Sequence, residues 1–244
     1  MLNNKIIIIT GGSGLIGKEI IKDITKKNGI AINAEINLKT NLDLNEIQCD
    51  ITSEDSVNSM LEIVLNKYHK IDGFVNNAYP RTSDWGDKFE NIKYSSWQKN
   101  VDLQMNSVFL TCQKVLKIMK NQQYGSIVNI ASIYGCVGAD FSIYQDTEMS
   151  NPAPYSAIKG GVINFSRYLA SLYGKENIRI NCVSPGGVFD NQHPVFIKNY
   201  ENKVPLKRMA KDFEIAPAIS FLLSDEASYI TGHNLIVDGG WTAI

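Results

Sequence analysis

Lys5-Ile-Ile-Ile-Ile-Thr-Gly-Gly-Ser-Gly-Leu-Ile-Gly17 decides the fold of this chain. Its first half is a short run of β-branched residues, the pattern of a strand buried on both faces of a parallel sheet. Its second half holds four glycines, Gly11, Gly12, Gly14 and Gly17, spaced around Ser13, Leu15 and Ile16. Leu15, Ile16, Ile20, Ile21 and Ile24 then recur at helical spacing until Asn28-Gly29 offers a stop. A glycine loop between a strand and an amphipathic helix is the context a dinucleotide site requires. Glycines let the backbone turn tightly and approach a pyrophosphate, which meets the helix N-terminus. Away from that context the same string would read as an ordinary tight turn.

The alternation continues along the chain. Strands are expected at Ile30–Glu35, Ile47–Cys49, Ile71–Val75, Ser126–Ala131, Ile178–Val183 and Leu235–Val237. Helices are expected from the Thr52/Asp55 caps to Tyr68, over Ser96–Met119, through Tyr155 to Tyr173, and over Asp212–Leu223. This rhythm implies βαβ units and an α/β fold of Rossmann type, a doubly wound parallel sheet. No linker, repeat or low-complexity break interrupts residues 1–244, which read as a single domain.

Composition removes several functions. A formal net charge of −1 lacks the basic excess of a nucleic-acid-binding surface. No apolar run is long enough to span a bilayer, and the amino terminus enters a strand at once, so neither membrane association nor a signal peptide is expected. Cys49, Cys112, Cys136 and Cys182 lack paired spacing and read as packed thiols of a reducing cytoplasm, with no metal site expected.

Tyr155 and Lys159 stand one helical turn apart, so an ammonium can lie beside a phenol. A free phenol with a pKa near ~10 is a poor base at neutral pH, and a neighbouring cation favours its ionised form. At the nucleotide end, Glu35 closes the second strand, where a carboxylate can bind ribose hydroxyls and repel a 2′-phosphate. NAD is therefore expected over NADP. Asp50 and Ile51 are placed to hold adenine, although an aspartate here also suits a helix start.

Taken together, the Thr10–Gly17 loop, Val75-Asn-Asn-Ala78, Asn106, Ile130-Ala-Ser132, Tyr155-x-x-x-Lys159, Ile178-Arg-Ile-Asn-Cys-Val-Ser-Pro-Gly186, Ile230-Thr-Gly232 and Val237-Asp-Gly-Gly240 resemble the short-chain dehydrogenase/reductase family in its single-domain form. The resemblance implies that Tyr155 is the acid/base for a carbonyl or hydroxyl exchanging hydride with nicotinamide. It implies that Lys159 binds the nicotinamide ribose and steadies a phenolate, that Ser132 fixes the substrate oxygen, and that Asn106 holds a water joining Lys159 to solvent. Asn77, Ala78, Pro185, Gly186 and Val188 would pass beside the cofactor. Singly, Ser132 would read as a strand-end cap and Asn106 as a buried helix amide. Three positions depart from the pattern: Leu15 replaces a usual glycine, Tyr79 replaces another, and Asp190 stands where a threonine is common.

The interval between Ser132 and Tyr155 is longer than the resemblance implies. Substrate-site loops are expected around 79–95, 136–153 and 187–205, the last carrying Phe189, His193 and Phe196, with His193 read as a surface residue of a lid. Their mixture of aromatic and polar side chains suits a sugar derivative, and the chain is similar to members tied to bacterial surface-sugar biosynthesis. These loops would equally serve to pack on another subunit, and the apolar Trp241–Ile244 tail suggests a homotetramer or homodimer. Competing readings are a non-catalytic NAD(H) sensor, a 3-oxoacyl-type reductase, and a sugar-nucleotide epimerase or dehydratase. With 58 residues after Gly186, the chain has little room for the substrate domain of the last.

Overall fold

A computed structural model describes all 244 residues, Met1–Ile244. The sheet has seven parallel strands: β1 (Ile6–Thr10), β2 (Ile30–Glu35), β3 (Glu46–Gln48), β4 (Gly73–Asn76), β5 (Gly125–Ile130), β6 (Ile178–Pro185) and β7 (Asn234–Val237). Their spatial order is β3-β2-β1-β4-β5-β6-β7, with every pairing parallel. The doubly wound sheet inferred from the sequence is therefore present.

The helices are α1 (Leu15–Lys26), α2 (Glu54–Tyr68), α3 (Tyr94–Val101), α4 (Ser107–Gln122), α5 (Ala153–Tyr173), α6 (Pro194–Lys203) and α7 (Ala216–Leu223). Strand β1 shows how the layers form. Ile6 and Ile8 join the core packed with α2 and α4, whereas Ile7 and Ile9 join the core packed with α1 and α7. All five residues of the strand are buried. Period-two alternation sends side chains to both faces, so a continuous isoleucine run is what a doubly covered strand demands.

Three element boundaries differ from expectation for local reasons. Helix α2 is capped by Ser53, whose hydroxyl accepts from the Ser56 amide at 3.3 Å. The helix expected from 96 to 119 is divided by a widened π turn at Asp102–Asn106. Just beyond it, the Ser107 hydroxyl at the start of α4 donates back into the turn, to the Leu103 and Gln104 carbonyls at 2.7 and 3.0 Å. Helix α6 falls in the segment expected only as a lid, and begins at a proline suited to a first helical turn.

The carboxy-terminal tail folds onto its own chain. Trp241 stacks on Tyr200 of the same chain, with ring centroids 4.7 Å apart, leaving Ile244 as its exposed apolar residue. Trp241 thereby joins the core of Phe196, Tyr200, Val204 and Met209. No helix is long and apolar enough to cross a membrane.

Candidate active site

Strand order reverses between β1 and β4, and a crevice opens beyond their carboxyl ends, where α/β sheets bind ligands. A cleft of about 560 Å³ lies there. Of the expected nucleotide residues, Gly11, Gly14, Leu15, Ile16, Glu35, Asp50, Ile51, Asn77 and Ala78 line it. The loop is tied to β4 by Asn77, whose amide donates to the Thr10 and Gly11 carbonyls at 3.0 and 2.9 Å. Thr10 answers by accepting from the Ala78 amide at 3.1 Å.

Two loop residues lie elsewhere. Gly17 is a packing residue, because a Cβ there would lie 2.2 Å from the Gly11 carbonyl oxygen. Ser13 is exposed, and its hydroxyl accepts from the Asn33 amide at 3.1 Å instead of facing the cleft. A Cβ at Gly14, by contrast, would meet only the Gly11 carbonyl oxygen, at 3.3 Å. No side chain caps α1, and its first turn carries no acidic residue, so its amide groups face the cleft free to meet an anion. The cleft thus fits a dinucleotide by volume, by backbone donors and by the Glu35 carboxylate at its far end. Asp50 is shared: one carboxylate oxygen accepts from the Thr52 amide and hydroxyl at 2.9 and 2.7 Å while the residue lines the cleft.

Tyr79 lines both this cleft and a second cavity of about 250 Å³. Ser132, Tyr155, Pro185, Gly186 and Val188 line the second cavity. Helix α5 brings Tyr155 to Ser132 because Lys159, one turn later, donates to the Ile130 carbonyl at the end of β5 at 2.8 Å. The Lys159 Nζ lies 5.6 Å from the Tyr155 ring centroid and 5.5 Å from that of Tyr79. Trp85 and Tyr79 meet the Tyr155 ring edge-on, at 6.3 and 5.7 Å, forming a roof.

The electrostatics depart from the sequence expectation. Burial raises the Tyr155 pKa, with the Ser132 hydroxyl pulling the other way. Burial also lowers Lys159 to about 8. Desolvation therefore outweighs any phenolate stabilisation by the ammonium in the free protein, and the pair rests as phenol and readily discharged amine.

Asn106 requires a correction. It is exposed and donates to the Asp102 carboxylate at 3.2 Å, on the outer side of α4. The buried amide of this segment is Gln104, 4% exposed, whose Oε1 and Nε2 both lack partners. Gln104 sits in the π turn, which packs on α5 through Met105 at Gly161, two residues beyond Lys159. Its signal was available in sequence only as a polar residue two positions away from the asparagine. Asp190 is exposed and lines neither cavity. His193, also exposed, caps α6 by accepting from the Val195 amide at 3.3 Å.

A cleft at the switch point of a doubly wound parallel sheet, joined at Tyr79 to a smaller cavity, is the arrangement of a Rossmann-type fold. The chain belongs to the short-chain dehydrogenase/reductase family, whose members are oxidoreductases acting on CH–OH groups. A family model described as enoyl-(acyl carrier protein) reductase matches residues 20–242. The chain is 38% identical to post-translational flagellin modification protein A of Campylobacter coli, over 99% of each chain. It is 32% identical to the 3-oxoacyl-[acyl-carrier-protein] reductase of Chlamydia muridarum, over 98% of each. A crystal structure of a short-chain dehydrogenase from Leptospira borgpetersenii with bound NAD+ superposes with a TM-score of 0.89 at 33% identity, covering 99% of this chain and 94% of that one.

Proposed function

We propose that this protein is an NAD-dependent oxidoreductase interconverting a secondary alcohol and a ketone on a sugar-type substrate. The observation carrying the reading is that Tyr155 and Ser132 share one cavity, joined at Tyr79 to a dinucleotide-sized cleft. A bound nicotinamide dinucleotide supplies or accepts the hydride. Its pyrophosphate would be held by Gly11, Gly14 and the Leu15–Ile16 turn, its adenosine by Glu35, Asp50 and Ile51, and its nicotinamide side by Asn77, Ala78, Pro185, Gly186 and Val188. Lys159 would hold its ribose. Arg81 is the one cation lining the cleft, and no Lys or Arg lines it beside Glu35, which favours NAD over NADP.

Tyr155 gives its phenolic proton to a ketone oxygen, or takes the proton of an alcohol. Ser132 hydrogen-bonds the same oxygen and orients it. Burial keeps the phenol protonated, which suits the reducing direction. The role expected of Asn106 passes to Gln104: its unpaired buried amide holds the water that relays a proton toward Lys159. Intact proton-handling groups count against a pure sensor. Four free thiols suit a reducing cytoplasm. Loops 79–95, 136–153 and 187–205 form the substrate side, and exposed Phe109, Tyr168 and Leu172 beside Phe165 offer a face for homo-oligomer assembly.

Tyr155→Phe tests the reading. NADH binding, followed by its fluorescence, is expected to persist, while turnover at the NADH absorbance band falls by ~10²-fold or more. Turnover within twofold of the parent protein would refute the assignment.

A further inference from the structure

The loop at 136–153 is fastened to α6. Asp140 caps the short turn Phe141–Tyr144, accepting from the Ser142 amide and hydroxyl at 2.9 and 2.7 Å. Its second carboxylate oxygen pairs with Lys203 at the end of α6. From the same helix, Asn199 donates to the Ile143 and Gln145 carbonyls, each at 3.3 Å. Ile143 is buried in a core with Phe196, Tyr200, Val204, Met209 and Trp241. Tyr144 and Phe196 touch with ring centroids 5.3 Å apart. Loop, helix and tail therefore form one packed wall, which gives the cavity Tyr144, Phe196, Tyr200 and Met209.

The chamber behind this wall has two properties. At about 250 Å³ it falls below the usual span of roughly 300–1,000 Å³ for larger ligands. Its lining also contains no Lys, Arg, His, Asp or Glu. Tyr134, Tyr144 and Phe196 supply aromatic faces, and Ser150 and Asn151 supply hydrogen-bonding groups. Burial holds the Tyr134 phenol well above its ordinary value, so the walls stay neutral. On the outer side of the wall, Lys203 is paired with Asp140.

We propose that this chamber takes a compact, uncharged, hydroxylated ring bearing the reacting carbon, and that the wall braced by the Asp140–Lys203 pair bounds the substrate on that side. The proposal rests on the oxidoreductase reading above and narrows it. A ring of this kind stacks its C–H face on tyrosine and phenylalanine and satisfies the amide and hydroxyl groups with its own hydroxyls. A phosphate drawn into the chamber would lose its water without meeting a cation. An extended acyl thioester would meet the strapped wall.

The test uses the full-length protein with NAD or NADH and three probe sets: glucose and galactose with their keto derivatives, the phosphate esters of the same sugars, and the acetoacetyl thioester of N-acetylcysteamine. The neutral rings are expected to react with kcat/KM at least about tenfold above the other sets, equivalent to about 1.4 kcal/mol. Their KM should stay constant between about 50 and about 500 mM NaCl, as an uncharged contact requires. Lys203→Met should narrow the preference over the thioester at least about threefold while leaving NADH affinity unchanged. Preference for either charged or extended probe, or no reaction of any neutral ring, overturns the assignment. Failure of the oxidoreductase reading is separately visible, as absence of an NADH fluorescence response together with absence of turnover in all three sets.

Discussion

The two cavities on either side of Tyr79 are built from different materials. The nucleotide cleft is positioned by backbone features, a glycine turn, a helix start without a side-chain cap and the ends of β1, β2 and β4, which set Glu35, Asp50 and Ile51 along it. The smaller chamber is made of side chains from four distant segments, meeting only because α5, α6 and two loops converge over β5 and β6. Backbone sites tolerate little change in shape and specify a ligand shared by many proteins. Side-chain sites change identity with each substitution, so substrate choice lives there. Lys159 lies beside both rings at the junction, half-buried and bonded to β5, and the two cavities meet in its chemistry.

The largest effect should come from that junction. Burial lowers Lys159 to about 8, below the ordinary lysine value of 10.5, and raises the Tyr155 phenol. Oxidation needs an ionised Tyr155 and a charged Lys159 together. Below about pH 8, kcat/KM for alcohol oxidation is expected to rise about tenfold per pH unit and then to level as Lys159 loses its proton. Lys159→Met should cost ~10²-fold in that parameter and erase the break. The sign for stability is also fixed. Between about 8 and 10.5 the unfolded chain binds more protons at this position, so the contribution of Lys159 to stability improves with rising pH. The difference in thermal midpoint between the parent and Lys159→Met should therefore shift in the parent's favour as pH rises across that interval. A profile without a break near 8 would detach Lys159 from the chemistry.

Next in size is a pair of glycine changes that separates packing from binding within the nucleotide half. Gly17→Ala forces a Cβ to 2.2 Å from a backbone oxygen, whereas Gly14→Ala reaches only 3.3 Å. The first should lower stability by ~1–3 kcal/mol in chemical unfolding and weaken NADH binding with it. The second should stay within ~0.5 kcal/mol of the parent, yet weaken NADH binding by narrowing the cleft. Equal losses of stability in both would show that Gly14 is a packing glycine too. A smaller change belongs to Glu35, which lines the far end of the cleft. Glu35→Ser should reduce the ratio of kcat/KM for NAD over NADP about tenfold, or ~1.4 kcal/mol, and an unchanged ratio would place selectivity elsewhere.

The same contrast explains what could be read before the structure. The parallel sheet was legible, and the loop, Glu35, Ser132, Tyr155 and Lys159 could be singled out as candidates, because each is signalled by residue type at short spacing. Tertiary packing decided the rest. Nothing local announces that Asp140 will meet Lys203, separated by 63 residues, or that Trp241 will fold back onto Tyr200. The pKa balance at Tyr155 was misjudged because burial, which no spacing reports, outweighs the adjacent cation. Gly17 and Gly14 look alike in sequence and differ only in what their missing side chains would strike.

Asn106 and Gln104 give the finest test of this distinction, because they lie two residues apart and the π turn sends them to opposite environments. Asn106→Ala removes an exposed amide paired with Asp102 and should alter activity less than twofold. Gln104→Leu removes two buried polar atoms that have no partners. If Gln104 were only a packing residue, that change would stabilise the protein by ~1–3 kcal/mol, the cost of an unsatisfied buried group, and leave kcat untouched. As a positioning residue acting through Lys159, it should instead lower kcat about tenfold with little change in KM. The pH break near 8 should also move, since that break reports Lys159. Gln104→Asn should restore part of the rate, because a shorter amide still offers a donor and an acceptor. A stabilised, fully active Gln104→Leu protein would return this turn to the core and leave Tyr155, Lys159 and Ser132 as the whole proton-handling set.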